Sequence, residues 1–88
     1  MTQEEFLAQV AQDASTELVL VTRAANTALD LHAHPFDATA LVLRGELTIA
    51  IDGVERLYRA GDIFVLAAGC AHSERDGAAG VSYLVARG

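Results

Sequence analysis

Apolar residues recur along this chain in two rhythms. Between residues 2 and 13, Phe6, Leu7 and Val10 fall on one helical face at i, i+1 and i+4, with Glu4, Gln9, Gln12 and Asp13 on the other. Thr2 and Glu5 have the spacing of a capping box, in which each side chain accepts the other residue's backbone N–H. The pattern predicts a short helix within residues 1–14, packed as a lid on the rest of the chain. From Ser15 onward the period becomes that of strands. Apolar or alternating runs cover Leu18 to Arg23, Thr27 to His34, Ala40 to Leu43, Leu47 to Ile51, Ile63 to Leu66 and Val81 to Ala86. Turn residues separate them: Arg44-Gly45-Glu46, Asp52-Gly53, Gly61-Asp62, Gly69 and Gly77 to Gly80. Asp52-Gly53 is the strongest local signal. A two-residue type I′ turn needs positive φ at both places, so residues 49–51 are expected to pair with 54–57. Seven or eight short strands predict an all-β fold over 15–88, a small double-sheet barrel in one domain. Leu41 and Leu43 are apolar on the face opposite Ala40 and Val42, so the outer face needs a cover, either the helix or another subunit.

Composition then narrows the partners. The 88 residues carry a net charge of −6, with six arginines and no lysine, so no cationic face can form to meet a phosphate backbone. Nucleic acid is excluded on that ground. The longest apolar run, Ile63 to Ala71, is interrupted by Gly69 and falls far short of the roughly 20 residues of a membrane helix. The acidic start, Met1-Thr2-Gln3-Glu4-Glu5, is the opposite of a secretion signal. Cys70 is the only cysteine, which forbids an internal disulfide and suits a reducing cytoplasm. A domain this short buries a modest core, so a homodimer is expected.

The chemistry concentrates on the histidines. His32 and His34 are two apart in an extended run and leave the same face; His72 follows the Ala67-Ala68-Gly69-Cys70 turn. A barrel can bring the three imidazoles to one ion, with His72 opposite the first two. Glu74 shares the parity of His72 and is a candidate ligand or proton-transfer group, its alternative being a solvated carboxylate beside Arg75. Asp37 is a weaker candidate because alternation from His34 turns it outward, and Cys70 a weaker one still because it sits in a turn. Ser73 adjoins His72 and diverges from it, so no serine–histidine pair forms, and no glycine-rich phosphate loop occurs.

These residues resemble the two motifs of the cupin superfamily, His-x-His-x3-Glu-x6-Gly and Gly-x5-Pro-x-Gly-x2-His-x3-Asn. The first runs here from His32 through His34 to Gly45, and the second from Gly61 through Gly69 and His72 to Asp76. The resemblance covers residues 24–87 and implies a jelly-roll barrel holding a divalent transition metal on His32, His34 and His72. Three positions depart from it. The glutamate is Ala38, the proline Ala67 and the asparagine Asp76. Loss of the glutamate leaves three neutral imidazoles, which shifts preference towards Zn, Ni, Cu or ferrous iron and leaves a coordination position open. Phe36, Ala38, Ala40, Phe64 and Tyr83 are expected to line the pocket, with two alanines leaving room for a small, mostly apolar molecule. The expected function is oxidation or isomerisation of such a molecule at the metal, with Glu74 moving protons. The alternatives are a ligand-sensing module without turnover and a metal-free structural barrel.

Overall fold

A computed structural model describes residues 2–11 and 17–87. The expectations placed on Met1, on Gln12 to Thr16 and on Gly88 lie outside the described residues, including the polar positions Gln12 and Asp13 and the boundary at residues 14 and 15. One helix, α1 (Gln3–Val10), precedes six strands: β1 (Glu17–Arg23), β2 (Ala28–His32), β3 (Ala38–Ile51), β4 (Val54–Arg59), β5 (Ile63–Leu66) and β6 (His72–Arg87).

The capping box of α1 is complete. Thr2 N–H donates to Glu5 Oε1 at 2.9 Å, and Glu5 N–H to Thr2 Oγ1 at 3.2 Å. Eight residues make a marginal helix in isolation, so its stability comes from docking. Phe6, only 2% exposed, packs with Leu41, Leu84 and Ala86. Burying such a ring contributes about 2–3 kcal/mol. The helix thus supplies the cover that Leu41 and Leu43 require, and Val10 joins the same cluster.

The strands are fewer and longer than the spacing of turn residues suggests. Arg44-Gly45-Glu46 and Gly77 to Gly80 do not end strands; they lie inside β3 and β6, which run antiparallel along most of their lengths. Each half of these two strands has a different outer neighbour. The first half of β3 and the second half of β6 are flanked by β5 and β1, and the remaining halves by β4 and β2. One continuous ladder therefore folds into the two facing sheets of a jelly roll.

The fold-over occurs at register shifts on either side of Gly45. A bulge adds a residue and inverts the side-chain parity beyond it. Ala38, Ala40 and Val42 face the core before the bulge and Leu47 and Ile49 after it; on β6, His72, Glu74 and Asp76 give way to Val81, Tyr83 and Val85. Gly45 is required there. Its φ is +76°, and a Cβ would stand 2.0 Å from the Gly80 carbonyl oxygen. The Asp52-Gly53 hairpin forms as expected, with φ of 51° and 78°, and places Ile51 opposite Val54. No described helix is long and apolar enough to cross a membrane.

Candidate metal centre

His32 ends β2 and is the direct cross-strand partner of His72, the first residue of β6. The two sit side by side on adjacent strands rather than across the barrel. His34 follows on the segment leading to β3, and its carbonyl accepts the Gly69 N–H at 2.9 Å, which ties it to the turn before His72. Ring centroids lie 4.3 Å apart for His32 and His72, 4.9 Å for His34 and His72, and 5.8 Å for His32 and His34. One ring nitrogen from each falls within 4.8 Å of the others, so the three can share an ion.

Hydrogen bonding orients two of these rings in the same way. His32 Nδ1 lies 2.7 Å from the Asp30 carbonyl oxygen, and His72 Nδ1 lies 3.0 Å from that of Cys70. A carbonyl can only accept, so each Nδ1 carries the hydrogen and a neutral ring presents an Nε2 lone pair. His72 is fully buried and its Nε2 has no hydrogen-bond partner; His34 Nδ1 is likewise buried and unpartnered. Burial holds the His34 imidazole below its ordinary pKa, and any charge on His72 or His32 lowers it further. Buried nitrogen lone pairs without donors, held by outer carbonyls, are what a transition-metal site requires. The donor set fits a divalent transition metal.

The family profile described as "Cupin domain" matches residues 19–85. The chain belongs to the cupin family. Solved structures place this cupin beside an RmlC-like cupin from Shewanella frigidimarina, at 22% identity and a TM-score of 0.70 over 82% of this chain and 65% of that one. A conserved protein with a double-stranded β-helix domain from Klebsiella pneumoniae gives 21%, 0.71, 82% and 65%. DMSP lyase DddQ from Ruegeria pomeroyi gives 24% and 0.76 over 85% of this chain and 39% of that protein. The cupin thus spans about 65% of the length of the first two. No curated protein is significantly similar to it. At these identities the likeness concerns the fold.

Around the histidines of this cupin, the other candidates separate clearly. Glu74 is 8% exposed, and its Oε2 lies 3.4 Å from both His32 Nε2 and His72 Nε2. It is therefore no solvated partner of Arg75, which turns outward to Glu55. Asp37 accepts the Ala68 N–H at 2.8 Å and so clamps the turn before His72. Among the described residues, the group of mutually close ligand atoms comprises the three histidines alone: Glu74 approaches the nitrogens of His32 and His72, and Cys70 contributes its carbonyl. Asp76 pairs with Arg23 at 2.7 Å and also accepts from Thr27.

A cavity of about 240 Å³ opens beside the histidines, and Phe36, Ala38, Phe64 and Tyr83 line it together with His34 and Glu74. Ala40 does not reach it: fully buried, it is enclosed in the core. A larger cavity of about 360 Å³ lies between β4 and β5, sharing Phe64 and Leu66, but it offers no metal-binding side chain. The smaller one adjoins a candidate metal ligand, His34, and the Glu74 carboxylate. Burial raises the Tyr83 hydroxyl to about 12, with the Glu74 charge adding to the shift, so it stays protonated as a hydrogen-bond donor near the carboxylate. Phe36 stacks on His34 at 4.6 Å, nearly parallel, and the Arg87 guanidinium sits 5.1 Å above the Phe36 ring. Sequence patterning left Arg87 out; residue type alone does not show which cation will lie over an aromatic face.

Proposed function

We propose that this cupin domain holds one divalent transition metal on His32, His34 and His72 and uses it to bind a small organic molecule in the adjoining cavity. The observation that carries this reading is the buried, unpartnered His72 Nε2, on a ring that offers one nitrogen within 4.8 Å of one from each of the other two histidines. When bound, the ion supplies a Lewis acid at the wall of the cavity. The chain's own residues do the rest. Phe36, Phe64 and Leu66 exclude water from an apolar body, and the roughly 240 Å³ limits the ligand to a small one. In this reading Tyr83 O–H donates to a polar group of the ligand and Glu74 accepts a proton from it. Oxidation or isomerisation of that molecule is the proposed activity, and the name of one structural neighbour, DMSP lyase DddQ, supports catalysis on this barrel.

The test begins with protein purified without an affinity tag, whose metal content is measured against that of His72→Ala. Metal near one equivalent in the first and near zero in the second is expected; none in either defeats the proposal. Ligand screening by thermal shift, with product analysis on every hit, then separates an enzyme from a sensing module. We further propose that two copies associate through β1, an outer strand on which Leu18 and Leu20 are 41% and 60% exposed. Sedimentation of Leu20→Lys as a monomer, with the parent protein a dimer, is the expected result.

A further inference from the structure

The environment of Glu74 goes further than a proton carrier requires. Its Oε2 stands 3.4 Å from two Nε2 atoms whose rings already spend their Nδ1 hydrogens on the carbonyls of Asp30 and Cys70. With neutral rings, three acceptors converge on one point with no hydrogen among them. Such an arrangement is costly in a buried place unless a cation lies at its centre. A proton on either Nε2 is a poor answer. Imidazolium–carboxylate hydrogen bonds close to about 2.7–2.9 Å, whereas both contacts here stand at 3.4 Å and His72 Nε2 has no hydrogen-bond partner. A metal is a good answer. Ligand atoms about 2.0–2.2 Å from a common tetrahedral centre stand about 3.4 Å from one another.

We propose that Glu74 is itself a ligand, the fourth, so that the carboxylate of this centre comes from β6 instead of from position 38 on β3. This rests on the metal reading above. Ala38 cannot coordinate, yet it lines the same cavity as Glu74 and His34, so the two strands offer alternative routes for one carboxylate to reach the ion. Register explains why β6 serves. His72 and Glu74 are two apart on one strand, both face inward, and His32 is paired directly across from His72. The longer glutamate side chain spans the step between the two positions. The consequence is a centre with three neutral nitrogens and one anionic oxygen, which holds a divalent ion more tightly than imidazoles alone and does so for harder ions as well.

The experiment uses the full chain, stripped of metal by a chelator and titrated with cobalt(II), reading both affinity and the visible absorption bands that report ligand number and type. Glu74→Gln keeps the size of the side chain and removes the anionic donor. It should lose affinity by about 100-fold, the upper end of what altering an outer partner of a ligand costs, and should change the cobalt bands. Glu74→Asp, too short to reach, should behave alike. In the Glu74→Ala background, Ala38→Glu should recover at least a tenth of the parent affinity. Where that double variant fails to fold, because position 38 is 3% exposed, the Gln and Asp variants decide. Unchanged affinity and bands in Glu74→Gln overturn the role of Glu74 and leave the histidine centre standing. A parent protein that takes up no cobalt overturns both.

Discussion

Two buried carboxylates lie two residues apart on the inner face of β6, and the protein treats them differently. Asp76 is supplied with its cation by the chain. Arg23 Nε lies 2.7 Å from its Oδ2, Thr27 O–H donates to the same oxygen, and the Asp76 N–H donates to the Thr27 carbonyl at 2.8 Å. The contact also holds the Arg23 guanidinium above its ordinary pKa. Glu74, two residues earlier, faces two imidazoles at 3.4 Å and, among the described residues, makes no direct ion pair with an arginine; its charge reaches Arg23 only at longer range. A buried charge with a built-in counter-ion fixes structure; one that faces lone pairs suits the ion proposed above. On the proposed reading, the difference separates the parts of the barrel that hold it together from those that hold the ion.

The sharpest way to break this comparison is to supply and withdraw the ion. With metal at about 1,000 times its dissociation constant, binding adds about 4 kcal/mol of stability. In a domain of this size that corresponds to a melting temperature roughly 15–30 °C higher. Calorimetry with and without chelator should show this drop in the parent protein and none in His72→Ala. Equal drops would show that the stabilising ion sits elsewhere.

Next in size is the carboxylate that already has its cation. Asp76→Ala leaves Arg23 without its partner and should cost about 3 kcal/mol in chemical denaturation, as expected for breaking a buried pair. Cobalt affinity in the folded variant should stay as in the parent. A large loss of affinity would join the two carboxylates into one network and erase the distinction.

Much of this was legible in the sequence because it depends on local spacing. The Thr2 and Glu5 cap, the Asp52-Gly53 hairpin and the strand Ile63–Leu66 are each set by residues within a few positions of one another. The three histidines were legible too, since parity in an extended run puts His32 and His34 together. What escaped was long-range. Glycines at 45, 77 and 80 look like strand ends, yet they are bulges within β3 and β6, and only the partner strand shows that the ladder resumes beyond them with its parity inverted. The same limit hid the direct pairing of His32 with His72, whereas the inward turn of Glu74, away from Arg75, followed from its shared parity with His72.

A smaller effect is expected from alkali, through Tyr83. Its hydroxyl is raised to about 12 in the folded chain by burial first and by the Glu74 charge next, against about 10 in an unfolded one. Between those values the unfolded chain releases a proton that the folded chain keeps, so stability is complete below pH 10 and falls as pH rises towards 12. The full loss is about 2–3 kcal/mol. Denaturant melts of the parent and of Tyr83→Phe over this range should diverge. Parallel curves would place the hydroxyl in water and remove Glu74 from its surroundings.

The smallest expected effect tests the comparison most directly, because Arg75 lies between the two carboxylates in sequence. Alternation sends it to the other face, where it meets Glu55 at 3.1 Å with the two side chains 64% and 57% exposed. An ion pair so open to solvent is worth under about 1 kcal/mol. Arg75→Ala should therefore shift the denaturation midpoint slightly and leave cobalt affinity untouched. A marked change in affinity would mean that the guanidinium reaches Glu74 in solution. Glu74 would then have a counter-ion of its own, as Asp76 does, and no cause to bind another.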